Sequence, residues 1–125
     1  MHPAGNALKQ LFTITQIQQK PSKRMYHKQN LAKLKKMDGL APEVMKAFSA
    51  FDKAAVAEGA IPVKFKELIA IAVALTTQCP YCIEIHTENA RKAGATDAEI
   101  IEAGMVAAAL RAGAAVTHAT HTLPA

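Results

Sequence analysis

The chain has 125 residues, the length of a single domain, and half of them are hydrophobic although tryptophan is absent. Its apolar runs are shorter than the about 18 residues of a transmembrane helix and its start lacks the apolar segment of a signal peptide, so we predict a cytoplasmic protein without a membrane partner. The formal charge of +5 is uneven, because residues 1–66 have a net charge of +8 and residues 67–125 a net charge of −3.

The basic N-terminal part, residues 1–40, is predicted to be a helical arm. A short amphipathic helix is expected to end at Pro21, and a second helix is expected from about Ser22 to Lys36, before a break at Asp38-Gly39. The lysines of this arm are not interleaved with aromatic residues. We therefore expect a solvated helix face, or an arm that packs on an acidic neighbouring subunit, rather than a nucleic-acid surface.

Residues 41–125 are predicted to form the main domain, which is all-α. Its helices are expected at Pro42 to about Gly59, Lys64 to Gln78, Pro80 to Ala93 and Asp97 to about Ala119. Gly94 suits a left-handed helix end, and the segment from Thr96 to Glu99 has the pattern of a capping box. Together with the arm, this pattern predicts a compact bundle of five or six helices without a strand.

The second predicted helix of the main domain contains an unbroken apolar run. Every residue from Leu68 to Leu75 is apolar, so a helix here is expected to have no water-facing side and to lie at the centre of the bundle. A buried parallel strand is the alternative, but the interleaved alanines favour a helix. The last helix is rich in glycine and alanine, which would allow a close approach between helices.

The only two cysteines stand in the motif Cys79-Pro80-Tyr81-Cys82, and His86 follows one turn later. On a helix, spacings of three and four residues place both sulfurs and the imidazole on one face. Cα atoms about 5 to 6 Å apart also suit a disulfide. A helix start would acidify Cys79, whereas His86 could take the proton of Cys82, so the residues leave open which thiol is the more reactive.

Glu67 is the acidic residue at the edge of the apolar run. A carboxylate buried there needs a partner, and the short turn near Gln78 folds its helix back against the cysteine helix. We expect Glu67 to bind the far nitrogen of His86, directly or through a water. The alternative is a solvated Glu67 paired with Lys64 or Lys66.

These residues together resemble the carboxymuconolactone decarboxylase and alkylhydroperoxidase D-like family of all-helical proteins. The resemblance covers roughly residues 40 to 120 and rests on Glu67, the Cys79 to Cys82 motif and His86, followed by an Ala-Gly-Ala turn and a second alanine-rich helix. It implies a thiol-dependent peroxidase that reduces hydroperoxides, an oxidoreductase without a bound cofactor or metal.

The resemblance also implies a role for each of these residues. Cys82 would attack the peroxide and become a sulfenic acid, while Cys79 would protonate the leaving oxygen and then close an intramolecular disulfide. His86 and Glu67 would form a proton relay. An external dithiol or a reductase would restore both thiols.

Two departures from the alkylhydroperoxidase D pattern stand out. Those proteins have a histidine before the second cysteine, where this chain has Tyr81, so the relay is expected to be poorer. They also contain two copies of the helical unit, whereas this chain has one. Single-copy relatives assemble as homo-oligomers, commonly hexamers built from three dimers, and we expect the same here. The decarboxylases of the family lack the cysteine pair, which argues against lactone decarboxylation.

Two alternatives from other classes remain open at the level of the sequence. A zinc site could combine Cys79, Cys82 and His86 with either His118 or His121, since thiolates and imidazoles suit a tetrahedral zinc ion. A redox sensor would instead form the disulfide once, without repeated turnover. Both alternatives involve the same two thiols. Whether these thiols bind a metal, form a disulfide once or cycle repeatedly would distinguish the alternatives from a peroxidase.

Overall fold

Residues 26–125 are described by a computed structural model of the protein, and all secondary structure in this range is helical. The all-α prediction is therefore confirmed. The α-helices of these residues are α1 (Leu34–Leu40), α2 (Pro42–Val56), α3 (Val63–Thr77), α4 (Pro80–Lys92) and α5 (Asp97–His118). A 3₁₀ helix (Lys28–Lys33) precedes α1, and another (Ala119–Thr122) follows α5. The helix predicted before Pro21 lies outside the described residues.

The described part of the arm differs from the prediction. Instead of one helix ending near Lys36, a 3₁₀ helix runs directly into α1, which continues through Asp38-Gly39 to Leu40. The chain leaves helical geometry only at Ala41, with φ −142° and ψ 62°. A residue before proline is disfavoured in the α region, whereas a glycine inside a helix costs only about 1 kcal/mol. Pro42 therefore sets the break, and the prediction of a break at Asp38-Gly39 is wrong.

Helix α3 lies between α4 and α5 and packs along both, so the expected central helix is confirmed and the strand alternative is wrong. Ile71 and Ala74 are buried, but Ile69 and Val73 on the same helix are each about half exposed. The prediction that this helix has no water-facing side is thus wrong for a single chain. The apolar run exceeds what one bundle of this size can cover.

The small residues of α5 allow it to lie close to α3, as expected. A Cβ added at Gly104 would stand 3.2 Å from Leu75 Cδ1, closer than ordinary van der Waals contact. One turn before Leu75, Ile71 packs with Ala90 of α4 and with Ala95 in the loop before α5. The core of the described residues is thus a narrow seam of small side chains along α3.

Both predicted capping signals between α4 and α5 are present. Gly94 adopts φ 87°, and Ala95 N–H donates to the carbonyl of Ala90 at 2.9 Å, which closes the left-handed helix end. Thr96 Oγ1 accepts from Glu99 N–H at 3.2 Å, and the Glu99 carboxylate accepts from Thr96 N–H at 2.8 Å. These caps fix the direction in which α5 leaves the turn.

Helix α5 with its 3₁₀ extension (Asp97–Thr122) is long and apolar enough to cross a membrane by length and composition alone, with a mean hydropathy of 1.5. Only 6% of that apolar window is buried. The helix nevertheless packs on α3 and carries Glu102 and Arg111, which are costly in a bilayer centre. We interpret it as a packing helix with an uncovered apolar side.

Candidate functional site

The site begins at the reversal between α3 and α4. Gln78 takes a left-handed conformation with φ 56°, and Cys79 N–H donates to the carbonyl of Ala74 at 3.1 Å. Helix α4 consequently runs back along α3, so that residues early in α3 face residues in the second turn of α4. This geometry brings Glu67 and His86 together although they are 19 residues apart.

Glu67 is buried, with 3% of its surface exposed, and its Oε2 lies 2.7 Å from Nδ1 of His86. Opposite an ionised carboxylate, which only accepts hydrogen bonds, Nδ1 would be the donor, and Nε2 of a neutral ring would then be an acceptor. The solvated alternative for Glu67 is wrong: Lys64 pairs with Glu99 at 2.8 Å, and Lys66 donates to the carbonyl of Ala57 at 2.6 Å. Glu67 and His86 therefore form the expected direct contact.

The two thiols stand at the start of α4. Cys79 is the N-cap residue, and its Sγ accepts a hydrogen bond from Cys82 N–H at 3.3 Å. Pro80 occupies the first turn, where its missing N–H leaves no gap in the helix. Both cysteines are free and partly buried. The helix start thus presents a reduced pair in which one sulfur caps the backbone of the other.

The surroundings separate the acidities of the two thiols. A hydrogen bond from the Cys82 thiol lowers the pKa of Cys79, and the Cys82 N–H lowers it further. The same thiol hydrogen bond, together with burial and the charge of Cys79, raises the pKa of Cys82 to about 11. In the reduced pair Cys79 is therefore the more acidic thiol and Cys82 its hydrogen-bond donor. The sequence left open which thiol is favoured, and the pKa shifts identify Cys79 as the more acidic one.

Cys82 and His86 line one cavity of about 430 Å³, and Cys79 is not part of its lining. Its walls come from the end of α2, from Ile61 in the following loop and from one face of α3. Most of the remaining lining is aliphatic. Of the two sulfurs, the cavity is therefore lined by the less acidic one, Cys82.

Tyr81 lies between the cysteines and contacts the segment before α1. Asn30 Nδ2 donates to the Tyr81 hydroxyl at 2.8 Å, and the rings of Tyr26 and Tyr81 meet edge to face with centroids 4.6 Å apart. The Tyr26 hydroxyl donates to Glu84, which raises the pKa of Tyr26 to about 12, and Lys28 pairs with Glu84 at 2.8 Å. Sequence reasoning missed these contacts, because no local pattern links residues more than 50 positions apart.

The ligand set of the zinc alternative is not assembled in the structure. Among residues 26–125, no three His, Cys, Asp or Glu side chains are arranged to hold a metal ion. His118 and His121 instead contact each other, with ring centroids 5.7 Å apart, at the exposed end of α5. The structure therefore gives no support to zinc ligation.

The fold and the site define an all-α protein with a dithiol at a helix start and a buried acid–histidine pair beside it. Residues 42–123 match the carboxymuconolactone decarboxylase family, and the chain belongs to that family. An uncharacterized protein of the cox locus of Paracoccus denitrificans is 53% identical over 77 residues, which cover 62% of this chain and 69% of the relative.

Two crystal structures share the fold. A structural-genomics structure of a protein from Methanobacterium thermoautotrophicum is 36% identical, with a TM-score of 0.65, and the match covers 69% of this chain and 97% of the other. A carboxymuconolactone decarboxylase family protein from Legionella pneumophila is 38% identical, with a TM-score of 0.63, and the match covers 66% and 74% of the two chains. The fold and the family are thus established by sequence and by structure.

Proposed function

We propose that the protein is a thiol-dependent peroxidase that reduces hydroperoxides through a cycle of the Cys79–Cys82 dithiol and disulfide. One observation carries this proposal: Cys82 lines a cavity and is hydrogen-bonded to a second, more acidic thiol at a helix start. Two hydrogen-bonded thiols of unequal acidity at the wall of a cavity suit the attack of sulfur on a small electrophile.

The hydrogen bond between the two thiols supports a first step in which Cys79 takes the proton of Cys82. As the peroxide enters, Cys82 passes its proton to the Cys79 thiolate and attacks the outer peroxide oxygen with its own sulfur. The O–O bond breaks, Cys82 becomes a sulfenic acid, and the departing alkoxide leaves as an alcohol with the proton held by Cys79. The acidity of Cys79 and the attack by Cys82 are therefore compatible, because Cys79 acts first as base and then as acid.

The second step closes the disulfide. The Cys79 thiolate attacks the Cys82 sulfur, the S–O bond breaks, and the departing hydroxide needs a proton to leave as water. His86 lines the same cavity, and its Nε2 can relay that proton from solvent while Glu67 holds Nδ1 and stabilises the imidazolium. An external dithiol or reductase then supplies two electrons and two protons by exchange through a mixed disulfide.

The test is hydroperoxide consumption with several external dithiols, beside mass measurement of the oxidised chain under non-reducing conditions. The parent protein should turn over repeatedly and lose two hydrogens per subunit on oxidation. Cys82→Ser should abolish turnover, and Cys79→Ser should allow one oxidation without closure of the disulfide. A single oxidation of the parent with no turnover on any dithiol would indicate a redox sensor and overturn the peroxidase proposal.

A further inference from the structure

We propose that Lys66 makes the cavity selective for aliphatic hydroperoxides that carry a carboxylate. This inference rests on the proposed peroxidase function and narrows its substrate class. The hydroperoxide would reach Cys82, the aliphatic chain would lie along α3, and the carboxylate would accept a hydrogen bond from the Lys66 ammonium.

The lining of the cavity sets the first condition. One face of α3 supplies its floor, with residues at the helical spacing of 66, 69, 70, 73, 74 and 77. Between the ends of this face the side chains are Ile69, Ala70, Val73 and Ala74, and Val56 and Ile61 close the opposite wall. Such a surface offers an unbranched aliphatic chain burial and no hydrogen bonds, as is typical of sites for apolar ligands.

Lys66 is the one lysine or arginine in this lining. It is half-buried, and its Nζ donates to the carbonyl of Ala57 at 2.6 Å, which holds the ammonium at the end of α2 and leaves two N–H donors. Within residues 26–125 no carboxylate lies at ion-pair distance from Lys66. Its charge is therefore compensated neither by Glu67, which binds His86, nor by Glu99, which binds Lys64.

The packing of α4 against α3 sets the separation of Lys66 and Cys82, the two residues that would bind the ends of such a substrate. Glu67 contacts His86, so Lys66 lies near the level of His86, and Cys82 lies four residues earlier on α4, about 6 Å along the axis. Asp52 of α2 acts electrostatically at the other end, since its charge raises the pKa of Cys82. An anionic group is repelled from the sulfur and attracted to Lys66, which orients the molecule.

The experiment compares ω-hydroperoxyoctanoic acid with its methyl ester, which differ in charge but share the peroxide and the chain. The parent protein should show a kcat/KM about tenfold higher for the acid, the effect expected of one charge-assisted hydrogen bond. Lys66→Met should remove this preference, mainly through a higher KM for the acid. Lys66→Arg should retain the preference because it keeps the charge.

Lys64→Met is the matched control. Lys64 lies two residues away on the same helix and pairs with Glu99 outside the lining, so its loss removes the same charge without touching the cavity. The preference for the acid should persist in this variant. If Lys64→Met lowered the preference as much as Lys66→Met, the effect would be one of net charge and the inference would be overturned.

A binding measurement separates this inference from the peroxidase proposal. Octanoate should bind the parent protein in calorimetry and should bind Lys66→Met about tenfold more weakly. Equal turnover of acid and ester by the parent would overturn the role of Lys66 and leave the peroxidase intact. Octanoate binding that depends on Lys66, without turnover of either hydroperoxide, would support the carboxylate site and overturn the peroxidase.

Discussion

The two cysteines are chemically unequal although only two residues separate them. Cys79 gains a hydrogen bond from the backbone and another from a thiol, whereas Cys82 donates its proton and is the more buried of the two. The asymmetry follows from the helix start, because an N-cap side chain faces free N–H groups and a residue one turn inside does not. The order of events in a redox cycle is then set by local geometry.

This inequality predicts that the pair loses its protons in two separate steps. The pKa of Cys79 is lowered from 9.0 and that of Cys82 is raised to about 11, so Cys79 should become a thiolate first as the pH rises. Iodoacetamide should therefore modify Cys79 at a lower pH than Cys82, as measured by alkylation rate against pH with peptide mapping. Preferential modification of Cys82 at neutral pH would contradict the assignment.

A single variant tests the cause of the shift. Cys79→Ser removes the sulfur that accepts a hydrogen bond from the Cys82 thiol and whose charge, once ionised, opposes a second thiolate. The pKa of Cys82 should then fall from about 11 toward the ordinary thiol value, while its burial still holds it somewhat higher. The same alkylation profile, recorded for the variant, should move to lower pH. An unmoved profile would mean that burial alone sets the acidity of Cys82.

Glu67→Gln should reduce peroxide turnover by about tenfold to a hundredfold without loss of the fold. The amide keeps the shape of the side chain and can still contact Nδ1 of His86, but it carries no charge to stabilise an imidazolium. Steady-state kinetics against pH, together with a circular dichroism spectrum, would measure this. Glu102→Gln on the exposed side of α5 is the control for charge and should turn over at the parent rate.

At the residue scale, the contact between Glu67 and His86 was predictable because burial of a carboxylate demands a partner and one histidine lies across the turn. The contacts of Tyr81 with Tyr26 and Asn30 were not predictable, since they depend on how the segment before α1 packs against α4. The position of Lys66 in the cavity lining was also not predictable, because a lysine near the start of a helix most often faces solvent.

At the element scale, helix ends were read from the sequence wherever a backbone constraint is local. Gly94 and the Thr96 to Glu99 box are defined by the residues that form them, and both appear in the structure. The break near the arm was misplaced because two signals competed, Asp38-Gly39 and Ala41-Pro42, and steric exclusion before proline outweighs the modest cost of glycine in a helix.

Two glycine substitutions should have opposite effects on the free energy of unfolding. Gly94→Ala places a Cβ on a residue with φ 87° and should lower the free energy of unfolding by about 1 kcal/mol. Gly39→Ala lies inside α1, where an added Cβ meets no atom within 4 Å, and should raise it by about 0.5–1 kcal/mol. Urea unfolding at one fixed protein concentration measures both.

The paired design keeps the interpretation simple. Both substitutions add the same methyl group to an uncrowded position, so their difference reports the backbone conformation rather than packing. If Gly94→Ala were as stable as the parent, the left-handed helix end between α4 and α5 would be absent in solution. If Gly39→Ala were destabilising, α1 would not be helical at that position.

At the scale of the whole molecule, the described residues leave much of their apolar surface uncovered. The buried apolar residues in 26–125 are Ile71, Ala74, Ala90, Ala95 and Ala107, most of which are small. Large side chains such as Phe51 and Val116 are more than 70% exposed. Uncovered apolar patches of this extent mark interaction surfaces, and the resemblance to single-copy relatives already implied a homo-oligomer.

We therefore expect α2 to contribute to self-association. Val44, Phe48 and Phe51 lie at i, i+4 and i+7, so they form one apolar stripe, and each is more than half exposed. Burial of one phenylalanine contributes about 1.5–3 kcal/mol, so Phe51→Glu should weaken assembly at least tenfold. Sedimentation velocity over a range of concentrations should show a large parent assembly, expected as a hexamer of three dimers, and smaller species for the variant.

Lys53→Gln provides the control for charge, because it also lowers the net charge by one and lies on the opposite side of α2, half a helical turn from the stripe. Its assembly should equal that of the parent. A parent that sediments as a monomer at all concentrations would contradict self-association. Equal weakening by both variants would instead assign the effect to net charge. Both variants lower the net charge by one, but only Phe51→Glu changes the apolar stripe.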